Sequence, residues 1–124
     1  MVDEKTHAIK NLEVIFNSQF HFFAENPHFL IAILSEGLID ESTTIQNTMM
    51  KIMKMKMRIL REIIERGKNN NEIISSVETD ALLHIVLSSF RMQMFKWKMA
   101  HFQFNNIEEG NKIMCTTLKL IASK

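Results

Sequence analysis

The sequence has few residues that break regular structure and few that cross-link it. Its 124 residues include one proline, three glycines and no tyrosine. A β-sandwich or barrel needs frequent turn residues, so this composition favours long helices. The single cysteine, Cys115, excludes an intramolecular disulfide framework and is typical of a reducing, cytoplasmic setting.

Net charge, long apolar runs and catalytic motifs are also scarce. A formal charge of +1 provides no global attraction for nucleic acid. The longest apolar run, residues 29–34, is too short to span a membrane, and the charged N-terminus lacks the apolar region of a signal peptide. No Gly-x-Ser-x-Gly, HExxH or glycine-rich phosphate loop is present. We therefore expect one all-helical cytoplasmic domain, residues 1–124, with no enzymatic activity, cofactor or metal.

Apolar residues recur at helical spacing along most of the chain. Helices are predicted from residue 3 or 6 to 24 and over residues 27–36, 43–66, 79–103 and 107–122. The pair Asn26–Pro27 separates the first two helices, and Gly67 is predicted to end the third. On that third helix the residues predicted to face inward are Met50, Met53, Met57, Leu60 and Ile64. The segment before the fourth helix is predicted to hold a turn of helix at best.

The central helix, residues 79–103, is apolar on two sides. One stripe consists of Leu83, Leu87, Phe90, Met94 and Trp97. The other lies about half a turn further round and consists of Ala81, Ile85, Ser88, Met92, Phe95, Met99 and Phe102. A surface helix buries one stripe, whereas a helix that is apolar on two opposed sides must be covered twice. We expect the chain's own core to cover one side and a second copy of the protein to cover the other.

Three stretches follow one another in a characteristic order: FFAENPHFLIAILSEG (22–37), RILREIIERGKNNNEI (58–73) and VETDALLHIVLSSFRMQMFKWKMAHF (77–102), then a closing helix to Ile121. This order resembles the C-terminal regulatory domain of TetR-family transcriptional regulators. It covers nearly the whole chain and rests on order and spacing, because none of the stretches is a chemical signature. The resemblance implies an antiparallel bundle of about five helices that dimerises through a four-helix bundle of the last two.

The helix-turn-helix half of that family is not recognisable in the sequence. There is no Thr-Ser before a short Ile-Ala helix and no Gly-Val-Ser turn before an aromatic recognition helix. The first helix here resembles the fifth of the family's usual nine. We therefore expect either the regulatory half of a longer protein or a protein that has lost its DNA-binding head. Either would contact DNA only through the absent N-terminal domain.

The resemblance also implies an effector pocket between the first, second, third and central helices. The residues assigned to it are Phe16, Phe20, Phe23, Phe29, Ile33, Met53, Met57, His84, Leu87, Phe90 and Met94. Methionine and aromatic side chains suit a small hydrophobic effector, because methionine adapts its shape and aromatic rings offer large apolar contact areas. The alternative is that these residues form a filled core, which is the commoner outcome for such stripes, and the sequence leaves both open.

The homodimer interface is assigned to one stripe of the central helix and one face of the last helix. Its residues are Ser88, Met92, Phe95 and Met99, together with Gly110, Met114, Leu118 and Ile121. The small side chain of Ser88 and the lack of one at Gly110 would permit close approach of a neighbouring helix. The sequence does not distinguish this assignment from one in which the opposite stripe of the central helix faces the mate.

Two other interpretations remain for these surfaces. The chain could be a helical protein–protein interaction module with a filled core, no ligand and a different protein as partner. The basic run from Lys51 to Arg61 could mark a membrane or nucleic-acid helix, but Glu62 and Glu65 follow it, so a solvated basic face is the better interpretation. The five histidines show no metal-ligand spacing.

Overall fold

The computed structural model describes residues 7–34 and 43–123. Within these ranges it contains five helices: α1 (Ala8–Glu25), α2 (Pro27–Leu34), α3 (Thr43–Asn69), α4 (Thr79–Met99) and α5 (Asn106–Ile121). The described part holds no β-strand, and its single extended pairing is an isolated bridge between Ile73 and Ala122. The all-α prediction is therefore confirmed. In the same ranges no helix is both long and apolar enough to cross a membrane.

α1 runs antiparallel to both α3 and α5. α1 packs against α2, α3 and α5, while α4 packs against α2, α3 and α5. Asn111 of α5 donates to Asn17 of α1 at 2.7 Å, and the end of α5 lies beside the start of α1. Lys56 of α3 lies opposite Gln19 of α1, and Gly67 lies beside Ala8. These pairings confirm the antiparallel arrangement that the family resemblance implies.

The inward face of α1 carries the predicted aromatic stripe. Leu12, Phe16, Phe20 and Phe23 are all buried at steps of three and four residues, which places them on one side of the helix. Each large apolar side chain removed from water in this way contributes roughly 1.5–3 kcal/mol. α1 begins at Ala8, since His7 has extended backbone, and the predicted start at residue 3 or 6 lies outside the described residues.

The third helix does not end at Gly67, because that glycine serves another purpose. α3 continues to Asn69, and the residue with positive φ (60°) is Asn71. An ideal Cβ at Gly67 would lie 2.6 Å from Ile73 Cδ1 and 2.9 Å from the Cβ of Ala8. Gly67 is therefore required for close packing of α3 against α1 and the following loop, and not for a left-handed helix end.

The predicted inward stripe of α3 is correct only in the second half of the helix. Leu60 and Ile64 are buried, Met57 is half-buried, and Met50 and Met53 are exposed. α3 has 27 residues and α1 has 18. With Lys56 opposite Gln19, Met50 lies level with the end of α1, and Met53 lies level with Phe22, which is itself exposed. Neither methionine therefore meets the buried side of α1.

Two predicted boundaries around α4 also shift. The central helix ends at Met99 and not at Gln103, and His101 and Phe102 follow with φ values of 54° and 62°. The segment from Glu72 to Glu78 contains no helix. The second predicted helix ends, in the described part, at Leu34, and its expected last residues lie outside the described ranges.

Candidate dimerisation face and ligand site

The two stripes of α4 lie on opposite sides of the protomer. Leu83, Met94 and Trp97 are buried in the core, and Leu87 and Phe90 pack against it. On the other side, Ile85, Met92, Phe95 and Met99 have exposed fractions between 45% (Phe95) and 65% (Met99), and Ser88 is exposed as well. The structure thus places the stripe assigned to the dimer outward. Phe102 differs from the rest of that stripe, because its ring packs edge-on against Trp97 at 4.7 Å.

The residues of α5 assigned to the dimer interface do not lie on the surface. Gly110, Met114, Leu118 and Ile121 are buried within the protomer, so a mate cannot cover them, and this part of the prediction is wrong. Gly110 does allow close approach, but of a ring in its own chain, since an ideal Cβ would lie 2.5 Å from two atoms of Phe20.

The exposed apolar residues of α5 lie on a different face of that helix. Ile113 is 40% exposed and Leu120 is 74% exposed, and they are spaced two turns apart on one side. Sequence reasoning missed them because the α5 face chosen was the one with the most regular apolar spacing. The spacing of Glu109, Ile113, Thr116 and Leu120 carries the signal that could have identified this second stripe.

The exposed apolar stripes of α4 and α5 lie next to each other, along the line where the two helices pack together. Gln93 Nε2 of α4 donates to Asn106 Oδ1 of α5 at 2.9 Å, which identifies the side of α5 that meets α4. Ile113 follows Asn106 by seven residues, or about two turns, so it lies on that same side. The exposed apolar residues therefore form one surface, the α4–α5 face, made of Ile85, Ser88, Met92, Phe95, Met99, Ile113 and Leu120.

Buried polar groups hold α4 and α5 in this relation. Asn106 accepts from Gln93 and donates to Met94 Sδ at 3.2 Å. Asn105 is the N-cap of α5, because its side chain accepts from the backbone N–H groups of Ile107 and Glu108. A buried amide pair of this kind must keep its partners, so it restricts how the two helices can slide.

Most of the predicted effector pocket is occupied by its own side chains. Phe16, Phe20, Phe23 and Met94 are buried in the core. The Phe90 ring lies 5.2 Å from the rings of both Phe16 and Phe20, a distance typical of packed aromatic pairs. The aromatic residues assigned to the pocket thus form a packed cluster between α1 and α4.

The other predicted pocket residues are dispersed. Phe29 stacks on Phe22 at 5.7 Å, and both rings are exposed. His84 is exposed on α4. The side chain of Ile33 lies outside the described part of the chain. Phe29 and His84 therefore lie outside the packed cluster of Phe16, Phe20 and Phe90.

A shallow groove open to solvent lies on the middle part of α3. It has a volume of about 310 Å³ and is lined by Met50, Met53, Lys54, Met57, Arg58 and Arg61. Two of the predicted effector residues, Met53 and Met57, are in it, and so is Met50, which the sequence predicts to face inward with them. Sequence reasoning missed the three cations, Lys54, Arg58 and Arg61. Their spacing is the signal, since the methionines recur at three and four residues and the cations beside them do the same.

The side chains around this groove are mostly positively charged. Lys54, Arg58 and Arg61 border the groove, and Arg61 also bonds to Asp80 at the start of α4. Lys56 donates to Gln19 Oε1 at 3.3 Å, and its partial desolvation lowers the pKa of the ammonium group from its ordinary value. Among the described residues, no group of histidine, cysteine or carboxylate side chains is arranged to hold a metal ion.

Comparison with known protein families identifies the fold. A family model described as YsiA-like protein, C-terminal region (TetR_C_4), matches residues 1–121. Neither the curated proteins nor the solved structures gave a match. The matched region includes all five helices and both surfaces described above. The chain therefore belongs to the YsiA-like C-terminal-region family, a C-terminal domain of TetR-family transcriptional regulators.

Proposed function

We propose that this chain is the homodimerisation and effector-sensing domain of a TetR-like regulator, and that the α4–α5 face is its dimer interface. The observation that carries the proposal is the exposed side of α4, directly opposite the side buried in the core. Burying one large apolar side chain contributes roughly 1.5–3 kcal/mol. Several such side chains on one face supply the apolar centre that stable interfaces have.

A two-fold pairing suits the shape of this face. In a two-fold interface the same patch faces itself, so each apolar residue finds an apolar neighbour on the mate. Two antiparallel helices from each protomer would form a four-helix bundle. Ser88, near the middle of the α4 stripe, has a small side chain that permits the helices to approach closely.

The dimer is tested by sedimentation velocity on Met92→Lys and Phe95→Glu variants. A charge buried at the centre of an interface costs about 2–4 kcal/mol, so we expect the dissociation constant to rise by roughly 30-fold to 1,000-fold. Met55→Lys is the matched control, because Met55 is 55% exposed and Met92 is 58% exposed, but Met55 lies on α3. A monomeric wild-type chain, or variants that dimerise as tightly as the control, would contradict the proposal.

We further propose that a small hydrophobic effector binds at the methionines of the α3 groove and not inside the aromatic cluster. The cluster is packed, whereas Met50 and Met53 are exposed, and methionine adapts to varied apolar shapes. Binding can alter the domain only if one arrangement of α3 binds better than another. α3 is joined to the start of α4 by Arg61–Asp80 and by Thr79 Oγ1, which donates to Glu65 at 2.7 Å. In a full-length regulator such a shift would reach the DNA-binding domains through the dimer.

The effector site is tested with Nile red as an uncharged apolar probe. Nile red fluorescence increases when the dye binds, and a titration of that increase gives the affinity. Met53→Asp should weaken the affinity at least about tenfold, since it places a charge in the groove. Met55→Asp is the control, because both methionines are 55% exposed and only Met53 lines the groove. Equal loss in both variants, or in neither, would argue against this site.

The alternative function is a helical protein–protein interaction module with a filled core and no ligand. The observation that favours it is the packed ring cluster of Phe16, Phe20 and Phe90. Such a module need not self-associate, so sedimentation of the wild-type chain separates the two proposals. Regulatory domains of the TetR family are generally not enzymes, and both proposals agree with that.

A further inference from the structure

The start of α1 is capped by a residue that lies 64 positions later in the chain. Glu72 Oε2 accepts a hydrogen bond from the Ala8 backbone N–H at 2.9 Å. Glu72 Oε1 lies 3.6 Å from His7 Nε2. His7 itself makes no side-chain capping bond. A carboxylate at this position accepts a hydrogen bond from an N–H group that has no partner within the helix. Its negative charge also interacts favourably with the positive end of the helix dipole.

The backbone of the same segment holds the end of α5. The Ser123 N–H donates to the Glu72 carbonyl at 3.0 Å, and the Ile74 N–H donates to the Ile121 carbonyl at 2.9 Å. Between these bonds Ile73 and Ala122 form an antiparallel bridge. Residues 72–74 therefore bind both the first turn of α1 and the last turn of α5.

Residues 72–74 cannot move without breaking their contacts with the neighbouring helices. The Glu72 N–H donates to the Gly67 carbonyl at the end of α3 at 2.7 Å. The Ile73 side chain is buried, and it fills the space that the missing side chain of Gly67 leaves open. A shift of residues 72–74 would break contacts with three helices at once.

We propose that residues 72–74 act as a latch that couples the two helix ends, so that the start of α1 and the end of α5 are ordered or released together. The latch is a property of the protomer. Its significance rests on the proposed homodimer in one respect: α5 carries Leu120, on the proposed interface, close to the latched end. Pairing of α5 with a mate would then also fix the point at which the chain enters α1.

The test is residue-resolved amide hydrogen exchange by NMR on the full chain, with one variant at each end of the latch. Glu72→Ala removes the carboxylate, with Glu62→Ala on exposed α3 surface as its charge-matched control. Ser123→Pro removes the N–H that bonds to Glu72. Ala122 has φ −70° and ψ 144°, the extended backbone that the residue before a proline needs, so Ala122 need not change its conformation. Ser123→Ala keeps the N–H and is the matched control.

The expected result is reciprocal, because coupling between two sites acts equally in both directions. Glu72→Ala should speed exchange at the Ile74 and Ser123 amides by about tenfold, and Ser123→Pro should do the same at the Ala8 amide. The Met94 amide inside α4 should not change, which distinguishes local opening from global unfolding. Changes confined to the mutated end, or present in one variant only, would overturn the proposal. If the wild-type chain sediments as a monomer, the proposed homodimer is refuted. The exchange experiment would still test the latch, because the latch lies within one protomer.

Discussion

The contact between Gly110 of α5 and Phe20 of α1 is tested by Gly110→Ala. A Cβ at this position would lie 2.5 Å from both Cε1 and Cζ of Phe20 and 2.8 Å from Cδ1. The ring is fully buried and packs against Phe90 at 5.2 Å, so it has no free direction in which to move. The added methyl group must therefore separate α1 from α5 or displace the ring within the core.

The expected loss follows from two opposing effects. Alanine inside a helix is about 1 kcal/mol more favourable than glycine. Overpacking a core costs about 1–3 kcal/mol, and three short contacts with a rigid ring favour the upper end. The net destabilisation is thus about 1–2 kcal/mol. An unfolding entropy of about 2.1 cal/mol/K per residue over 124 residues converts this to a decrease in Tm of about 4–8 °C.

The assay is thermal unfolding followed by circular dichroism at one protein concentration, arranged as a double-mutant cycle. Phe20→Leu alone should destabilise the protein, because it removes the ring that packs on Phe90. Combined with Gly110→Ala, however, it leaves room for the new methyl group. We expect the double variant to be about 1 kcal/mol more stable than the sum of the single changes. Lys112→Ala, on an exposed side of the same helix outside the α4–α5 face, should leave Tm close to that of the wild type.

One outcome would refute this reasoning. If Gly110→Ala unfolds at or above the wild-type temperature and instead weakens self-association, Gly110 lies at a surface between copies. Its assignment to the core of the protomer would then be wrong, and the interface predicted from the sequence would be restored.

Three further predictions concern the connection between α4 and α5. Asn105→Ala removes the hydrogen bonds to the N–H groups of Ile107 and Glu108, so it should lower the free energy of unfolding in urea by about 1 kcal/mol. An unchanged free energy would show that another group caps α5. Gln93→Leu leaves the buried Asn106 amide without its donor and should cost about 1–3 kcal/mol, a larger loss than Gln103→Leu at an exposed position. His101→Gly should raise Tm, because φ of 54° is strained for histidine by about 1 kcal/mol and not for glycine, and a lower Tm would contradict that strain.

The helices themselves were predictable because their signals are local. The buried stripe of α1, including Phe16, Phe20 and Phe23, follows from apolar spacing along eighteen consecutive residues. The break at Asn26–Pro27 follows from the steric effect of proline on its neighbour. The two apolar sides of α4 were equally predictable, since they depend on the spacing of residues such as Leu83 and Met92 within one helix.

The candidate sites were less predictable because they depend on which helices meet. Met50 and Met53 belong to the same apolar stripe of α3 as Leu60 and Ile64, yet only the latter two are covered, because the side chains that cover them come from other helices. Leu120 is exposed while its neighbour Ile121 is buried, although the two are nearly equal in hydrophobicity. Spacing assigns such residues to faces of a helix, but it does not show which face the other helices cover.

The sequence by itself determined that this is an all-helical chain with two apolar sides on its central helix, because periodicity and the hydrophobic effect act within single elements. Only the tertiary structure decided which side of α4 is turned outward and why Gly67 and Gly110 must lack side chains. It alone showed that Glu72 joins the start of α1 to the end of α5. These features arise from contacts between residues that are distant in the chain, and such contacts exist only once the helices have packed.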